Sequence, residues 1–306
     1  MIQNFLAINS TLNEEILPLY ETVEGKKIYE ETLSTVKKSF PQYVVELQGI
    51  ADGAKVPFYK ELLGHNEDAR PEVLGHYYLV SAHIVNSAPQ GRWKVKEEHF
   101  TSLCYAGYLP GLTMSFNQHG FIFTCNSIRP KRIIPGKMPR ALLSAKNLVQ
   151  AQEILRDSGG GCGDGFSVNM TFLNQEGNRL FHNAEVSPVE DGNNESELAI
   201  FTTSPGEHAI HCNIYLRLNV PEVEETMTSS RHRHASLGSF PKPKCRKDVI
   251  NMLGDQSDKE YPVFRQTDYA ETVAVGIFDC VKRTWSLYAD NPKKNDPIMV
   301  LPLNLK

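Results

Sequence analysis

Residues 60–68, with the sequence KELLGHNED, hold the first side chains in the chain that could do chemistry. Two leucines and a glycine precede His65, Asn66 and Asp68, a pattern that predicts a strand ending at a polar site. An imidazole, an amide and a carboxylate can move protons, stabilise an oxyanion or hold an ammonium group. The elements on either side of this strand must supply the rest of the site.

The composition is that of a globular protein. The chain has 306 residues, of which 41% are hydrophobic and 22% charged, so one large sandwich or two modest domains would fit. The net charge is -4 without a long run of either sign, which argues against a nucleic-acid partner. The densest basic spot, RHRH at residues 231–234, is interpreted as a solvated loop. No apolar run reaches the length of a membrane span.

The six cysteines are scattered, without CxxC pairs or regular spacing. They predict neither a zinc site nor a disulfide framework, and they fit reduced thiols in the cytoplasm. Residues 1–6 lack a basic region and a cleavage site, so we do not expect a signal peptide. Phosphate-binding and dinucleotide-binding motifs are missing, and the histidines are too far apart for one metal site. No metal and no cofactor are expected.

The order of predicted elements favours an α+β layered sandwich over a doubly wound parallel sheet. Apolar spacing predicts helices within residues 13–53. Strands are predicted over residues 77–84, 100–105, 112–116 and 121–127, followed by a helix over residues 140–155. A second block of strands follows, over residues 166–173, 179–186, 198–202, 272–279 and 284–289, with a helix over residues 247–253 before its last two. Residues 117–120 predict a hairpin turn.

The sequence GGGCGDG at residues 159–165 contains the bond between Gly161 and Cys162. Self-cleavage there would free a cysteine whose own α-amino group could act as its base. The alternative interpretation is the end of a helix followed by a loop. Cys104, by contrast, lies in a predicted buried strand and is interpreted as a core thiol.

Several segments together resemble the isopenicillin N acyltransferase-like branch of the N-terminal nucleophile (Ntn) hydrolases. They include YAGYLPG at residues 105–111, FNQHGF at 116–121, NMLGDQS at 251–257 and TVAVGIFD at 272–279. The resemblance covers nearly the whole chain. It implies an αββα four-layer sandwich with two antiparallel sheets, made by residues 60–306, after an N-terminal helical segment at residues 1–59.

The resemblance also implies a reaction. A precursor cuts itself at a Gly-Cys bond, and the new N-terminal cysteine attacks the amide of a small N-acyl amine. The substrates implied are N-β-alanyl amines such as N-β-alanyl-dopamine and carcinine, which yield β-alanine and dopamine or histamine. The partner would be this small molecule, and a homodimer is a further expectation.

Catalytic positions are carried over from the family one at a time. Asp68 matches the carboxylate that holds the α-ammonium group, and Asn126 and Asn213 match the asparagines near the oxyanion. Arg265 matches a late arginine that braces the site. Two residues are expected to bind substrate, namely Tyr105 and His65, which stands where many relatives carry arginine.

The chain departs from the family pattern where the nucleophile should be. A Gly-Cys-Thr-Thr strand is expected between VPFY at residues 56–59 and Leu62, yet only Lys60 and Glu61 stand there. We therefore predict an incomplete sandwich and a chain that neither cleaves itself nor hydrolyses amides. The alternatives are a catalytically dead homologue that binds ligands or pairs with an intact subunit, and a relocated nucleophile at Cys162. A splice variant or an incorrect gene model would each produce the gap.

Overall fold

A computed structural model describes residues 17–20, 22–28, 31, 61–131, 139–157, 161–175, 179–189, 195–204, 206–266 and 269–304. Most of the residues predicted to be helical within 13–53 lie outside these ranges, which contain a short helix α1 at Leu17–Tyr20 and further helical residues at 23–28 and 31. The chain divides into two compact units, one of Met1–Lys60 with Gln175–Arg179 and one of Glu61–Asn174 with Leu180–Lys306. Both sheets belong to the second unit.

The second unit contains eleven described strands and three described α-helices. The strands are β1 (Leu62–Ala69), β2 (Tyr77–Gln90), β3 (Val95–Tyr105), β4 (Met114–Asn117), β5 (Phe121–Ile128), β6 (Gly165–Phe172), β7 (His182–Ser187), β8 (Glu197–Thr202), β9 (Glu271–Asp279), β10 (Thr284–Tyr288) and β11 (Met299–Pro302). The helices are α2 (Leu148–Arg156), α3 (Glu224–Gly238) and α4 (Arg246–Leu253). Short 3-10 helices occupy Pro71–Val73 and Pro139–Ser144.

The strands form two antiparallel sheets. The small sheet has the order β1-β9-β10-β11, and the large sheet runs from β2 to β8 in chain order. Consecutive strands of the large sheet pair with each other. A short turn joins β4 and β5 at the predicted turn of residues 117–120, where Gly120 donates its backbone N–H to the carbonyl of Asn117 over 3.0 Å. Within the described residues, β1 pairs with β9 alone.

Three hydrophobic cores lie between the helical layers and the two sheets. Phe123 and Val168 of the large sheet pack against α2 through a core that contains Leu155. The opposite face of that sheet meets the small sheet in a core formed by residues of β4, β9 and β10, among them Met114, Phe116, Phe278 and Trp285. On the outer face of the small sheet, β9 packs against α4. The order helix, sheet, sheet, helix is the predicted αββα sandwich.

One predicted loop is a helix. Residues 231–234 lie inside α3, and Arg233 there is only 7% exposed. The sequence of α3 has almost no apolar periodicity, so its helical state comes from tertiary contacts and not from an amphipathic pattern. The interpretation of this segment as a solvated loop was wrong.

The prediction of one helix over residues 140–155 was correct in part. The helix predicted over residues 140–155 is divided into the 3-10 helix and α2, whose N-cap Asn147 accepts the backbone N–H of Gln150 over 2.9 Å. No helix among the described residues is both long and apolar enough to cross a membrane.

Candidate active site

The carboxylate of Asp68 meets groups from three other segments at the end of β1. Thr272 of β9 donates its hydroxyl to Asp68 Oδ1 over 2.7 Å. Nη1 of Arg233 and Nη1 of Arg265 lie 3.6 Å and 3.9 Å from Asp68 Oδ2. All three charged side chains are at most 14% exposed, so water screens their attraction weakly. The carboxylate is thereby held in one position.

The pairing of β1 with β9 shifts register between Glu67 and Asp68. The extra residue at this irregularity is Val273 on β9, and successive side chains of β1 alternate between its two faces. Here the strand sends His65 and Glu67 into the space between the sheets, where both are buried, while Asp68 faces the arginines. The three polar residues predicted to act together therefore do not share one face. Asn66 instead donates from Nδ2 to the carbonyl of Leu253 over 2.8 Å.

Arg233 joins Asp68 to the first asparagine of the site. Its Nη2 donates to Asn213 Oδ1 over 2.9 Å, and its Nε and Nη2 also donate to the hydroxyls of Ser229 and Ser230. These serines lie four and three residues earlier on α3, within reach on the same helical face. The Ser-x-x-x-Arg spacing was the signal available in the sequence, but it is too common to identify the residue by itself.

Both the oxygen and the nitrogen of the Asn213 side-chain amide are hydrogen-bonded. Oδ1 accepts from Arg233, and Nδ2 donates to the backbone carbonyl of Ser127 over 2.9 Å. A primary amide has two N–H donors, and the second one has no partner among the described residues. A fixed amide donor of this kind can stabilise an oxyanion because it needs no reorientation during the reaction.

Asn126 lies next to Ser127 but points along the large sheet. Its Oδ1 accepts from Nδ2 of Asn169 over 3.0 Å, and Asn169 Oδ1 accepts from Asn183 over 2.8 Å. The three asparagines belong to β5, β6 and β7, on the face that looks toward the small sheet. Asn126 is thus connected to Asn213 through the backbone of Ser127 and not by a side-chain contact.

A buried carboxylate anchors the loop that carries Asn213. Glu185 of β7 is 0% exposed, and its oxygens accept the backbone N–H groups of Leu216, Arg217 and Leu218 over 2.8–2.9 Å. His211 Nε2 lies 3.0 Å from Glu185 Oε1. Burial alone would raise the pKa of Glu185, but these hydrogen bonds together lower it to about 2.

His211, which contacts Glu185 of β7, also contacts the neighbouring strand β6. Its Nδ1 lies 2.9 Å from Ser167 Oγ on β6. The imidazole therefore has both nitrogens engaged, two residues before Asn213. The loop bearing Asn213 is tied to β6 through His211 and to β7 through Glu185, neither of which was identified from the sequence.

Tyr105 and His65, the two predicted substrate-binding residues, both contact Glu67. Tyr105 donates its hydroxyl to Glu67 Oε1 over 2.5 Å, and His65 Nε2 lies 3.1 Å from Glu67 Oε2. Burial, followed by the charge of Glu67, raises the pKa of the Tyr105 hydroxyl, so it remains a donor. Glu67 was missed because a carboxylate next to Asp68 has no distinguishing pattern in one sequence.

Arg265 is held by its backbone and by an aromatic ring. Its N–H donates to Thr272 Oγ1, and its carbonyl accepts from the backbone N–H of Thr272, both over 2.9 Å. The guanidinium carbon lies 5.0 Å from the centre of the Tyr269 ring, within the range of a cation-π contact. The structure therefore gathers Asp68, Asn213 and Arg265 around Thr272 and Arg233, with Asn126 at one side.

The six cysteines are all free thiols, and five are buried. Cys162 belongs to the core between the large sheet and α2, and burial raises its pKa to about 11. Its backbone N–H donates to Ser196 Oγ over 2.7 Å. Cys104 is 1% exposed, which confirms it as a core thiol. Burial also raises the pKa of Cys212, beside Asn213, although Arg233 opposes that effect.

No group of three or more metal-binding side chains occurs in the ranges that the structure describes. What the described arrangement offers is a fixed carboxylate, a fixed amide donor and two guanidinium groups. These are the groups that position an amine and stabilise a tetrahedral oxyanion in amide cleavage.

Residues 58–294 match the family model described as acyl-coenzyme A:6-aminopenicillanic acid acyl-transferase. A beta-alanyl-dopamine/carcinine hydrolase of Drosophila melanogaster is 42% identical over 353 residues, which cover 100% of this chain and 91% of that protein. Because the present chain has only 306 residues, the aligned region contains positions that the relative fills and this chain does not.

Two solved structures are similar at low identity. A mutant of conjugated bile acid hydrolase from Clostridium perfringens has a TM-score of 0.41 at 9% identity, covering 79% of this chain and 88% of that one. Penicillin V acylase from Agrobacterium tumefaciens has a TM-score of 0.39 at 12% identity, covering 74% of this chain and 78% of that one.

The extent of the family match and the identity to the Drosophila protein confirm the resemblance seen in the sequence. The chain belongs to the acyl-coenzyme A:6-aminopenicillanic acid acyl-transferase family of Ntn-type enzymes.

Proposed function

We propose that this chain is the scaffold of an amide hydrolase for N-β-alanyl amines, in a form that lacks its nucleophile. The intact reaction would split N-β-alanyl-dopamine or carcinine into β-alanine and dopamine or histamine. One observation carries the proposal: Arg233 and Arg265 both lie near Asp68 and Arg233 also donates to Asn213, yet Cys212, next to Asn213 in the chain, is buried. The binding and stabilising groups remain, and the attacking group does not.

Each residue then has a role in the intact reaction. Asp68 would hold the α-ammonium group of the nucleophilic cysteine, while Arg233 and Arg265 keep the carboxylate in place. The amides of Asn213 and Asn126 would stabilise the oxyanion that forms when the thiolate adds to the substrate carbonyl. Water would then release β-alanine from the thioester.

Substrate binding would use the Glu67 carboxylate. A β-alanyl group carries an ammonium at neutral pH, and a carboxylate is its natural partner in a site of low dielectric constant. Tyr105 and His65 hold Glu67 between them, so they would act in binding by positioning this carboxylate.

The absence of a nucleophile in this form is supported by two facts. Among the described residues β1 pairs with β9 alone, as expected if the strand that should open with cysteine is missing. The relative also fills alignment positions that this chain lacks. Cys162 is a poor substitute, because burial raises its pKa and a thiol must ionise before it attacks.

The test combines mass spectrometry, carcinine turnover and carcinine binding. We expect one intact species, no histamine release and binding detectable by calorimetry. Glu67→Gln should weaken binding at least tenfold, whereas the surface change Val149→Lys should not. Histamine release that is lost in Cys162→Ala would contradict the missing nucleophile, and absence of any binding would contradict the retained substrate site.

A second candidate is a homologue that works only by binding ligand or by pairing with an intact subunit. The groups retained around Asp68 and Glu67 support this second candidate as well as they support the first. Restoring the missing strand from the transcript distinguishes the two candidates. Gain of turnover would support the hydrolase scaffold. We also propose a homodimer, a cytoplasmic location in keeping with six free thiols, and the division into residues 1–59 and 60–306.

A further inference from the structure

β2 forms one edge of the large sheet and is unusually long, with 14 residues. In the part of the chain that the structure describes, its only strand partner is β3. Its sequence, YYLVSAHIVNSAPQ, contains no Asp, Glu, Lys or Arg. Natural edge strands usually carry charges, or are short or covered, because a bare edge invites pairing with another chain.

The edge is also apolar where it meets water. Tyr78 is 48% exposed, Ile84 is 37% exposed and Val85 is 65% exposed. Single exposed apolar residues need no explanation, but these three lie on one uncharged strand. The strand therefore has the composition of a pairing surface.

The backbone pattern shows which groups face outward. Ala106 donates its N–H to the carbonyl of His76 over 3.0 Å, which makes Tyr77 and Tyr105 a pair without mutual hydrogen bonds. The even-numbered residues of β2 from Tyr78 to Ile84 therefore bond to β3. The N–H and C=O groups of the odd-numbered residues, from Leu79 to Val85, point to the free edge.

We propose that β2 pairs antiparallel with β2 of a second copy of this chain, with the two-fold axis at Ser81. In this register the outward backbone groups of each copy meet those of the other in hydrogen-bonded pairs. Tyr78 of one copy lies opposite Ile84 of the other, so two exposed apolar side chains cover each other. The joined edges make one continuous sheet across the dimer.

A second copy fits this edge better than a foreign strand. An uncharged strand has no like-charge cost when it meets itself, and it has no charge with which to select a partner of opposite sign. The one histidine of β2, His83, already contacts Glu97 of β3 over 2.8 Å. In the proposed register His83 faces Leu79 and not its own copy. The inference does not depend on the proposed hydrolase function.

Sedimentation velocity of the full chain tests the interface. We expect a dimer that dissociates on dilution, and a monomer for Val85→Lys at concentrations where the wild type is dimeric. Val149→Lys is the matched control, since Val149 is also exposed, at 63%, but lies on α2. A monomeric wild type, or a Val85→Lys chain that still dimerises, overturns the proposal. A dimer disrupted equally by Val149→Lys also overturns it.

Disulfide formation tests the register. Residues opposite each other in a pair without mutual hydrogen bonds have Cα atoms about 4.5 Å apart, close enough for a disulfide. In a Cys245→Ser background, Tyr78→Cys chains mixed with Ile84→Cys chains should form a cross-linked dimer under mild oxidation, and neither alone should. Tyr78→Cys mixed with Asn86→Cys, the pair expected for the neighbouring register, should not cross-link. Cross-linking by that pair in place of the first would overturn the two-fold axis at Ser81.

Discussion

Nη2 of Arg233 donates to Oδ1 of Asn213 over 2.9 Å, while Nη1 of the same guanidinium lies 3.6 Å from Asp68 Oδ2. One side chain of α3 therefore sets the position of both a carboxylate at the end of β1 and an amide in the loop after β8. Because the two acceptors come from distant parts of the chain, the guanidinium makes the site depend on how α3 docks.

Replacing this arginine should destabilise the fold. Arg233→Ala leaves the largely buried carboxylate of Asp68 with one guanidinium fewer and Asn213 without its donor, so we expect a loss of about 2–4 kcal/mol in the free energy of unfolding. Urea denaturation at neutral pH measures it. Arg231→Ala on the same helix removes only a surface ion pair and should cost less than about 0.5 kcal/mol. Equal effects of the two changes would argue against the bridging role.

The buried Glu185 predicts a loss of stability in acid. Its folded pKa of about 2 is below the ordinary value of 4.5, so its contribution is present above pH 4.5 and is lost as the pH falls toward 2. That difference in pKa corresponds to on the order of 3 kcal/mol. Urea unfolding at several pH values should show a steeper decline below pH 4.5 for the wild type than for Glu185→Gln. Parallel curves for the two chains would contradict the assignment.

Gly276 of β9 should not tolerate a side chain. A Cβ atom there would lie 2.1 Å from Met114 Sδ and 2.9 Å from Trp285 Nε1, where the two sheets meet. Gly276→Ala should therefore cost about 1–3 kcal/mol through overpacking, measured by thermal or urea unfolding. Gly238→Ala is the control, since nothing lies within 4 Å of its Cβ and alanine favours the end of α3. We expect it to be neutral or stabilising, and a destabilised Gly238→Ala would weaken the comparison.

Thiol labelling should distinguish one cysteine from the other five. Cys245 at the N-terminus of α4 is partly exposed, whereas Cys104, Cys125, Cys162 and Cys212 are among the buried thiols. A thiol reagent should modify Cys245 quickly in the native chain and all six cysteines after unfolding. Peptide mapping identifies the site. Rapid labelling of Cys162 in the native chain would reopen the possibility of a nucleophile there.

The local order of strands followed from side-chain patterns. The aromatic and β-branched residues of β5 and β9 and the turn at residues 117–120 are local features of the chain, so these elements could be predicted. The family followed from several motifs in a fixed order, which no single motif would justify. The absence of a nucleophile strand before Leu62 stays a prediction, which rests on the spacing of the motifs on either side of it.

Tertiary structure decided which side chains meet. Alternation along β1 places Glu67 and Asp68 on opposite faces, but only the assembled sheets decide which face is buried between them and which meets the arginines. Arg233 became a site residue because packing, not periodicity, makes its segment helical and turns it toward Asp68 and Asn213. Glu67 and Glu185 matter because burial leaves a carboxylate dependent on its partners, and burial is set by the assembled sheets. The residue types were in the sequence, but their distances and exposure arose only when the two sheets came together.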